Sequence, residues 1–272
     1  MTRVSALDED MFIDVERNRR LSNTQSTTLT NALAHAPPIQ DSRDSWGERR
    51  RRPPRSSPTW AVRHPLGLWL HAQAAELAAR APLRVLDVGC GGKPYYPYFA
   101  SIASSYVGVD AVDNPIADLS GQGEELPVED ASFDLVLCTQ VLEHCAEPLR
   151  VVRELRRVTA PGGRVLASTH GVQIYHPAPH DYHRWTHEGL ELLFTVGGPW
   201  ESVTVSAGAG TASALAMLLG TYLESALGKG VLARGPIWLL NTVASTAERR
   251  SAKLREPVLG SLIPNFHVLA LA

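Results

Sequence analysis

The sequence predicts an α/β protein built on a doubly wound, mostly parallel sheet with helices on both faces, and three observations carry that prediction. Short apolar runs of strand length alternate with helix-periodic stretches from about residue 60 onward. The first run, Arg84-Val85-Leu86-Asp87-Val88, breaks into Gly89-Cys90-Gly91-Gly92, as a buried strand does where backbone must pass close to a ligand. The unusual polar clusters then fall at the carboxyl ends of predicted strands, the rim where ligands collect in such sheets.

The elements follow in order. Residues 1–58 are polar and rich in Ser, Thr, Arg and Pro, with the run Arg49-Arg50-Arg51-Arg52. Such a segment buries too little apolar surface to offset its ordering entropy, so it is expected to be largely disordered, its arginines a solvated basic tail. Residues 59–272 form the expected domain. PLGLWLHAQAAELAAR (65–80) places Leu66, Leu70, Ala74 and Leu77 near one helical face. RVLDVG is the first strand and YVGVD (106–110) the second; ADLSG (117–121) is a weak third and FDLVLC (133–138) a strong fourth. In 147–159, Pro148, Val151, Val152, Leu155 and Val158 share a helical face, until Pro161-Gly162-Gly163 stops the helix and turns into strand RVLAST (164–169). PWESVTVSAG reads as a sixth strand and NFHVLALA (265–272) as a seventh, antiparallel and inserted beside the sixth.

Composition narrows the function. The 272 residues carry a net charge of −2, which excludes a global field that would recruit nucleic acid. Cys90, Cys138 and Cys145 lack disulfide or zinc spacing and read as reduced thiols. The start, MTRVSALDEDMF, has no apolar signal region. A cytoplasmic protein is expected.

Two cofactors suit a strand, a glycine turn and an acid at the next strand end. A nicotinamide dinucleotide needs a third glycine to bring its pyrophosphate onto free N–H groups, but that position is Pro94, which has no N–H. S-adenosylmethionine carries no phosphate; it needs close backbone approach and carboxylates, and Asp87 and Asp110 supply these. The sulfonium cofactor is the better fit.

Asp87-Val88-Gly89-Cys90-Gly91, Gly108-Val109-Asp110, GEELPVEDASFDLVLCTQVLEH (123–144) and Leu155-Arg156-Arg157-Val158 before Pro161-Gly162-Gly163 together resemble class I S-adenosylmethionine-dependent methyltransferases. The likeness is to their small-molecule branch, of the quinone-biosynthesis type, over roughly residues 83–196. It implies a Rossmann-like seven-stranded sheet, mostly parallel with an antiparallel last strand. It also implies that Asp87, Gly89, Cys90 and Gly91 line the methionine side, Asp110 holds the ribose, Gln122 and Gly123 border the adenine, and Gln140 lies beside the methionine end. Two departures stand out: Lys93 where the family often has Gly, and neutral Gln122 where it often has Asp.

Methyl transfer to a hydroxyl is helped by a base, and histidine suits neutral pH. The segment after the fifth strand, THGVQIYHPAPHDYHRWTHEGL (169–190), holds five histidines, with Thr186 as cap of a following helix. Three readings stand together here. One of His176, His180 and His183 is a base oriented by Asp181; or those three bind a metal, though no cysteine or second acid completes a motif; or they shape a lid without chemistry. No metal is assigned. His144, closing QVLEH, is a separate base candidate.

The apolar insertion at about 208–255 reads as two helices, since the charge-free stretch 202–223 opens with the β-rich SVTVS and does not read as a membrane span. The helices are expected to cap the substrate pocket or touch a membrane surface, which would suit an apolar or lipid-linked acceptor. The function expected is methyl transfer from S-adenosylmethionine to a small molecule, at oxygen; the alternative is a non-methylating protein on the same scaffold, a cyclase or a regulatory partner.

Overall fold

A computed structural model describes residues 45–178 and 180–272. The elements are α1 (Ser45–Arg51), α2 (Trp60–Leu77), β1 (Leu83–Val88), α3 (Tyr96–Phe99), β2 (Ala103–Asp110), β3 (Leu119–Ser120), β4 (Phe133–Thr139), α4 (Pro148–Val158), β5 (Thr159–His170), α5 (His187–Gly197), β6 (Ser202–Ala207), α6 (Thr211–Leu227), α7 (Val231–Arg250) and β7 (Asn265–Leu271). They build a seven-stranded sheet in the order β3-β2-β1-β4-β5-β7-β6. β7 runs antiparallel to both β5 and β6, while the pairs from β3 across to β5 are parallel. The predicted architecture is the one observed.

Alternation within the central strands explains why both faces are covered. In β1, Val85 packs beneath α2 with Leu66, Leu70 and Phe99, while Leu86 and Val88 face the opposite layer with Val151, Val152 and Leu155 of α4. β4 repeats this, sending Leu135 and Leu137 one way and Val136 and Cys138 the other. Each of these side chains is at most 2% exposed, so a run that reads as continuously apolar is a strand buried on both sides. Sheet order reverses between β1 and β4, which opens a crevice beyond their carboxyl ends.

Three local expectations need correction. Order begins well before residue 59: α1 is helical, Arg51 donates from Nη1 to the Pro94 carbonyl at 2.6 Å, and Arg55 lies over the Trp60 ring at 4.7 Å. Asn241 of α7 donates to the carbonyls of Arg55 and Ser57, so this segment is stapled to the helical insertion. The expected disorder of the preceding residues lies outside the described ones. Second, Pro161-Gly162-Gly163 does not separate helix from strand, because β5 begins at Thr159 and absorbs the three as a register shift against β4, with Gly162 at a φ of 72°. Third, α2 starts at Trp60 and runs through Pro65, which lies in its second turn and has no N–H to donate to the Ala61 carbonyl.

The insertion forms two antiparallel helices, α6 and α7, packed where Gly220 lets Ile237 approach and where Glu248 accepts from the Ser213 amide at 2.7 Å. Among the described residues no helix is long and apolar enough to cross a membrane.

Candidate active site

The turn after β1 sets the floor of the crevice. Gly89 and Gly91 have φ of 66° and 50°, a left-handed backbone that a side chain resists, and a Cβ on Gly89 would lie 2.4 Å from Cγ2 of Val141. Asp110 at the end of β2 ties this turn down: its Oδ2 accepts from the Gly91 amide and from Asn114 Nδ2, each at 2.9 Å. Across the crevice Gln140 follows β4 with a φ of 58°. Its amide nitrogen donates to Ser168 Oγ and Asn265 Oδ1, at 3.1 and 2.9 Å, so β5 and β7 hold the side chain in place. A left-handed non-glycine residue fixed by its surroundings is a common mark of a functional position.

These residues line one cleft of about 470 Å³. Gly89, Gly91, Asp110, Gln122, Gly123 and Gln140 lie in its wall, as do His144, His176 and His180 from the other side. Ligand pockets run to about 300–1,000 Å³. The charged side chains in its wall are the carboxylates of Asp110 and Glu124 and the guanidinium of Arg50. That donor set, with a glycine turn at one end, fits a cationic cofactor without phosphates.

Two predicted cofactor contacts are placed elsewhere. Asp87 is buried under the glycine turn, where Tyr106 donates its hydroxyl to Oδ2 at 2.6 Å; burial raises its carboxyl to about 6. Cys90 turns inward against Gly108, where an added Cβ would meet its Sγ at 2.7 Å. Neither side chain is in the cleft wall. The same layer explains Lys93. Its buried ammonium donates to Asp118 at 2.6 Å, and the same carboxylate oxygen accepts from the Gly108 amide at 2.6 Å. Lys93 is therefore a strut beneath the turn.

The histidine segment is arranged differently from the expectation. Asp181 does not orient a histidine ring: Arg184 takes both of its oxygens, and Oδ2 also accepts from the His176 amide at 2.6 Å. A planar guanidinium fork matches a carboxylate better than an imidazole edge does, and the bonds from Arg184 hold the Asp181 carboxyl well below the usual range. His180 stacks on Tyr182, and His183 lies beside Trp185 away from the cleft wall. Among the described residues no three His, Cys, Asp or Glu side chains converge as metal ligands.

What the segment does bring together is His144, His170 and His176, around a carboxylate that the sequence reasoning passed over. Glu143 is fully buried, with Oε2 accepting from the Thr169 hydroxyl at 2.8 Å and Oε1 at 3.3 Å from His170 Nε2 and 4.0 Å from His144 Nε2. Burial raises the Glu143 carboxyl to about 7 and lowers His170 to about 3; it also lowers His176. His144 Nδ1 meets the His180 carbonyl, which only accepts, so the neutral ring carries its proton on Nδ1 and leaves Nε2 with a lone pair.

A small inner chamber of about 80 Å³ adjoins the cleft through Arg50, Gln140, His144 and His176. Glu143, His170, Tyr95 and Arg63 line its other walls. Arg50 and Arg63 are further residues that sequence reasoning missed. For Arg50 the signal is the arginine run ahead of α2, which composition alone makes a solvated tail; Arg63 lies within α2 and nothing in its spacing sets it apart.

Residues 86–167 match the family model described as a methyltransferase domain. A ubiquinone biosynthesis O-methyltransferase of Pseudomonas aeruginosa is 32% identical over 112 residues, which cover 35% of this chain and 47% of that protein. The Acinetobacter baumannii protein of the same name is 32% identical over 123 residues, 39% of this chain and 51% of that one. The chain thus spans about half the length of these relatives. Among solved structures, an S-adenosylmethionine-dependent methyltransferase from Mesorhizobium loti overlaps 76% of this chain and 98% of its own, at 15% identity and a TM-score of 0.47. The [4+2]-cyclase SpnF overlaps 75% and 80%, at 20% identity and a TM-score of 0.46. Residues 86–167 therefore match a methyltransferase domain, and the sheet order around them is the one that the sequence motifs led us to expect.

Proposed function

We propose that the chain transfers a methyl group from S-adenosylmethionine to an oxygen of a small-molecule acceptor, with His144 as the base. One observation carries the choice of oxygen: His144 stands where the cleft and the inner chamber meet, with Nε2 free to accept a proton and a buried carboxylate 4.0 Å from that same nitrogen.

S-adenosylmethionine, when bound, supplies a methyl group on a positively charged sulfur. The chain's residues do the rest. Asp110 accepts from the ribose hydroxyls, Gly89 and Gly91 let the ligand approach the backbone, and Gln122 and Gly123 border the adenine. Gln140, held by Ser168 and Asn265, lies beside the methionine end. Asp87 and Cys90 act from beneath, as support for the turn. The acceptor occupies the inner chamber and gives its hydroxyl proton to His144 Nε2. Glu143 then faces an imidazolium and stabilises it, a positioning and electrostatic role. A general base contributes about 10²–10⁴-fold to rate. The O-methyltransferase names of the relatives point the same way.

The test is calorimetric binding of S-adenosylhomocysteine, followed by turnover of S-adenosylmethionine against a panel of hydroxylated acceptors. Asp110→Asn is expected to weaken binding at least tenfold. His144→Gln is expected to bind normally and to lose turnover 10²-fold or more. Binding without turnover of any acceptor would favour the non-methylating alternative; no binding would end the proposal.

A further inference from the structure

A larger groove of about 880 Å³ lies outside the inner chamber, between the α1–α2 segment and the tips of α6 and α7. Five cationic side chains line it, Arg49, Arg52, Arg63, Lys229 and Arg234, against the single carboxylate of Glu224. The chain as a whole carries a net charge of −2, so composition alone does not produce such a cluster. None of the five forms an ion pair with a carboxylate of the described residues. Three separate stretches of chain converge to make the groove, at a mutual repulsion that the one Glu224 carboxylate offsets only in part.

Arg63 is the hinge of the argument. Together with Thr59 and Ile174 it lines both the groove and the inner chamber, so the two spaces share a wall. Burial, and then Arg50, push its guanidinium below the usual value, the mark of a cation lacking a counter-charge. Cleft, chamber and groove therefore follow one another, from the cofactor end through His144 to a basic mouth.

We infer that the groove binds a phosphate group carried by the acceptor, so that the acceptor is a phosphate ester whose reacting hydroxyl reaches through the chamber to His144. Arginine forks match phosphate oxygens bidentately, and a multiply charged oxyanion answers a five-cation site better than a single carboxylate does. The assignment of this phosphate to the acceptor rests on the methyl-transfer reading; the anion site itself does not. The phosphate has two sources to distinguish. A soluble ester would sit in the groove alone. A lipid headgroup would also engage Tyr222, Val231 and Leu232, which project beside Lys229 and Arg234 at 69%, 82% and 74% exposure.

The experiment uses the full chain with inorganic pyrophosphate, and separately with phosphatidylcholine vesicles with and without phosphatidic acid. Wild type is compared with the exposed double variant Lys229→Glu/Arg234→Glu and with Arg63→Leu. Pyrophosphate binding that weakens tenfold or more in the double variant, and falls with added salt, upholds the site with a soluble ester. Binding confined to phosphatidic acid vesicles, and lost in the same variant, upholds it with a lipid source. No binding in either arm, or binding that survives charge reversal, overturns it. S-adenosylhomocysteine affinity serves as the control, since Lys229 and Arg234 lie outside the cofactor cleft. Loss of that affinity in wild type would count against methyl transfer, while loss of pyrophosphate binding alone would count against the groove.

Discussion

Replacing Glu143 by Gln separates the two things this buried carboxylate does. The amide keeps the size and still accepts from Thr169, but it never carries charge. In the fold the carboxyl is raised from 4.5 to about 7 by burial. At about 1.4 kcal/mol per pKa unit, that rise corresponds to about 3 kcal/mol. The sign follows from which state holds the proton. Between pH 4.5 and about 7 the folded protein keeps it while the unfolded chain releases it, so stability falls as pH rises through this window. Asp87, His170 and His267 also titrate abnormally, but they are common to both proteins and cancel in the difference. Denaturant unfolding should show the variant gaining about 3 kcal/mol on wild type from below pH 5 to pH 8. Activity should move oppositely. Wild-type kcat should rise with pH through about 7, as Glu143 ionises beside His144 Nε2, whereas Glu143→Gln should lose roughly 10²-fold in kcat and that inflection with it. Parallel stability curves together with an unchanged kcat profile would refute both the burial argument and the proposed role.

Two further outcomes test the layer beneath the cleft. Lys93→Met should destabilise by about 3–5 kcal/mol, since it leaves the Asp118 carboxylate without its buried ammonium; adding Asp118→Asn should recover part of that, read by denaturant unfolding of the double-mutant cycle. Gly89→Ala should cost about 1–3 kcal/mol for its left-handed backbone and more for the contact with Val141. Val141→Ala should relieve the contact but not the backbone cost, so S-adenosylhomocysteine affinity should stay low in the double variant.

Much of this protein was legible in its sequence because the relevant physics is local or periodic. RVLDVG and FDLVLC announce doubly buried strands by continuous apolarity, and the 3.6-residue spacing of Val151, Val152, Leu155 and Val158 shows which face of α4 is buried. Gly89, Gly91, Asp110 and Gln140 were legible because topology sends every strand end of a doubly wound sheet to one rim. Thr186 was legible as a cap, and its side chain does accept from the Gly189 amide.

Only tertiary structure decided the chemistry of the histidine segment. Asp181 lies amid the histidines in sequence and reads as their natural partner, yet Arg184 is three residues away on the same turn and takes the carboxylate. Glu143 is distant from His170 in the chain and becomes its partner only when the ends of β4 and β5 are laid side by side. Burial then sets the proton affinities, and burial depends on what covers a site, which no residue spacing encodes. The arginine run shows the same limit. By composition it is a solvated tail, and it becomes the wall of a groove because Pro94 accepts from Arg51 within the run and Asn241 holds the Arg55 carbonyl just beyond it. Sequence determined where strands end and which residues gather there; long-range packing decided which of them are paired, which are buried and which remain open to a ligand.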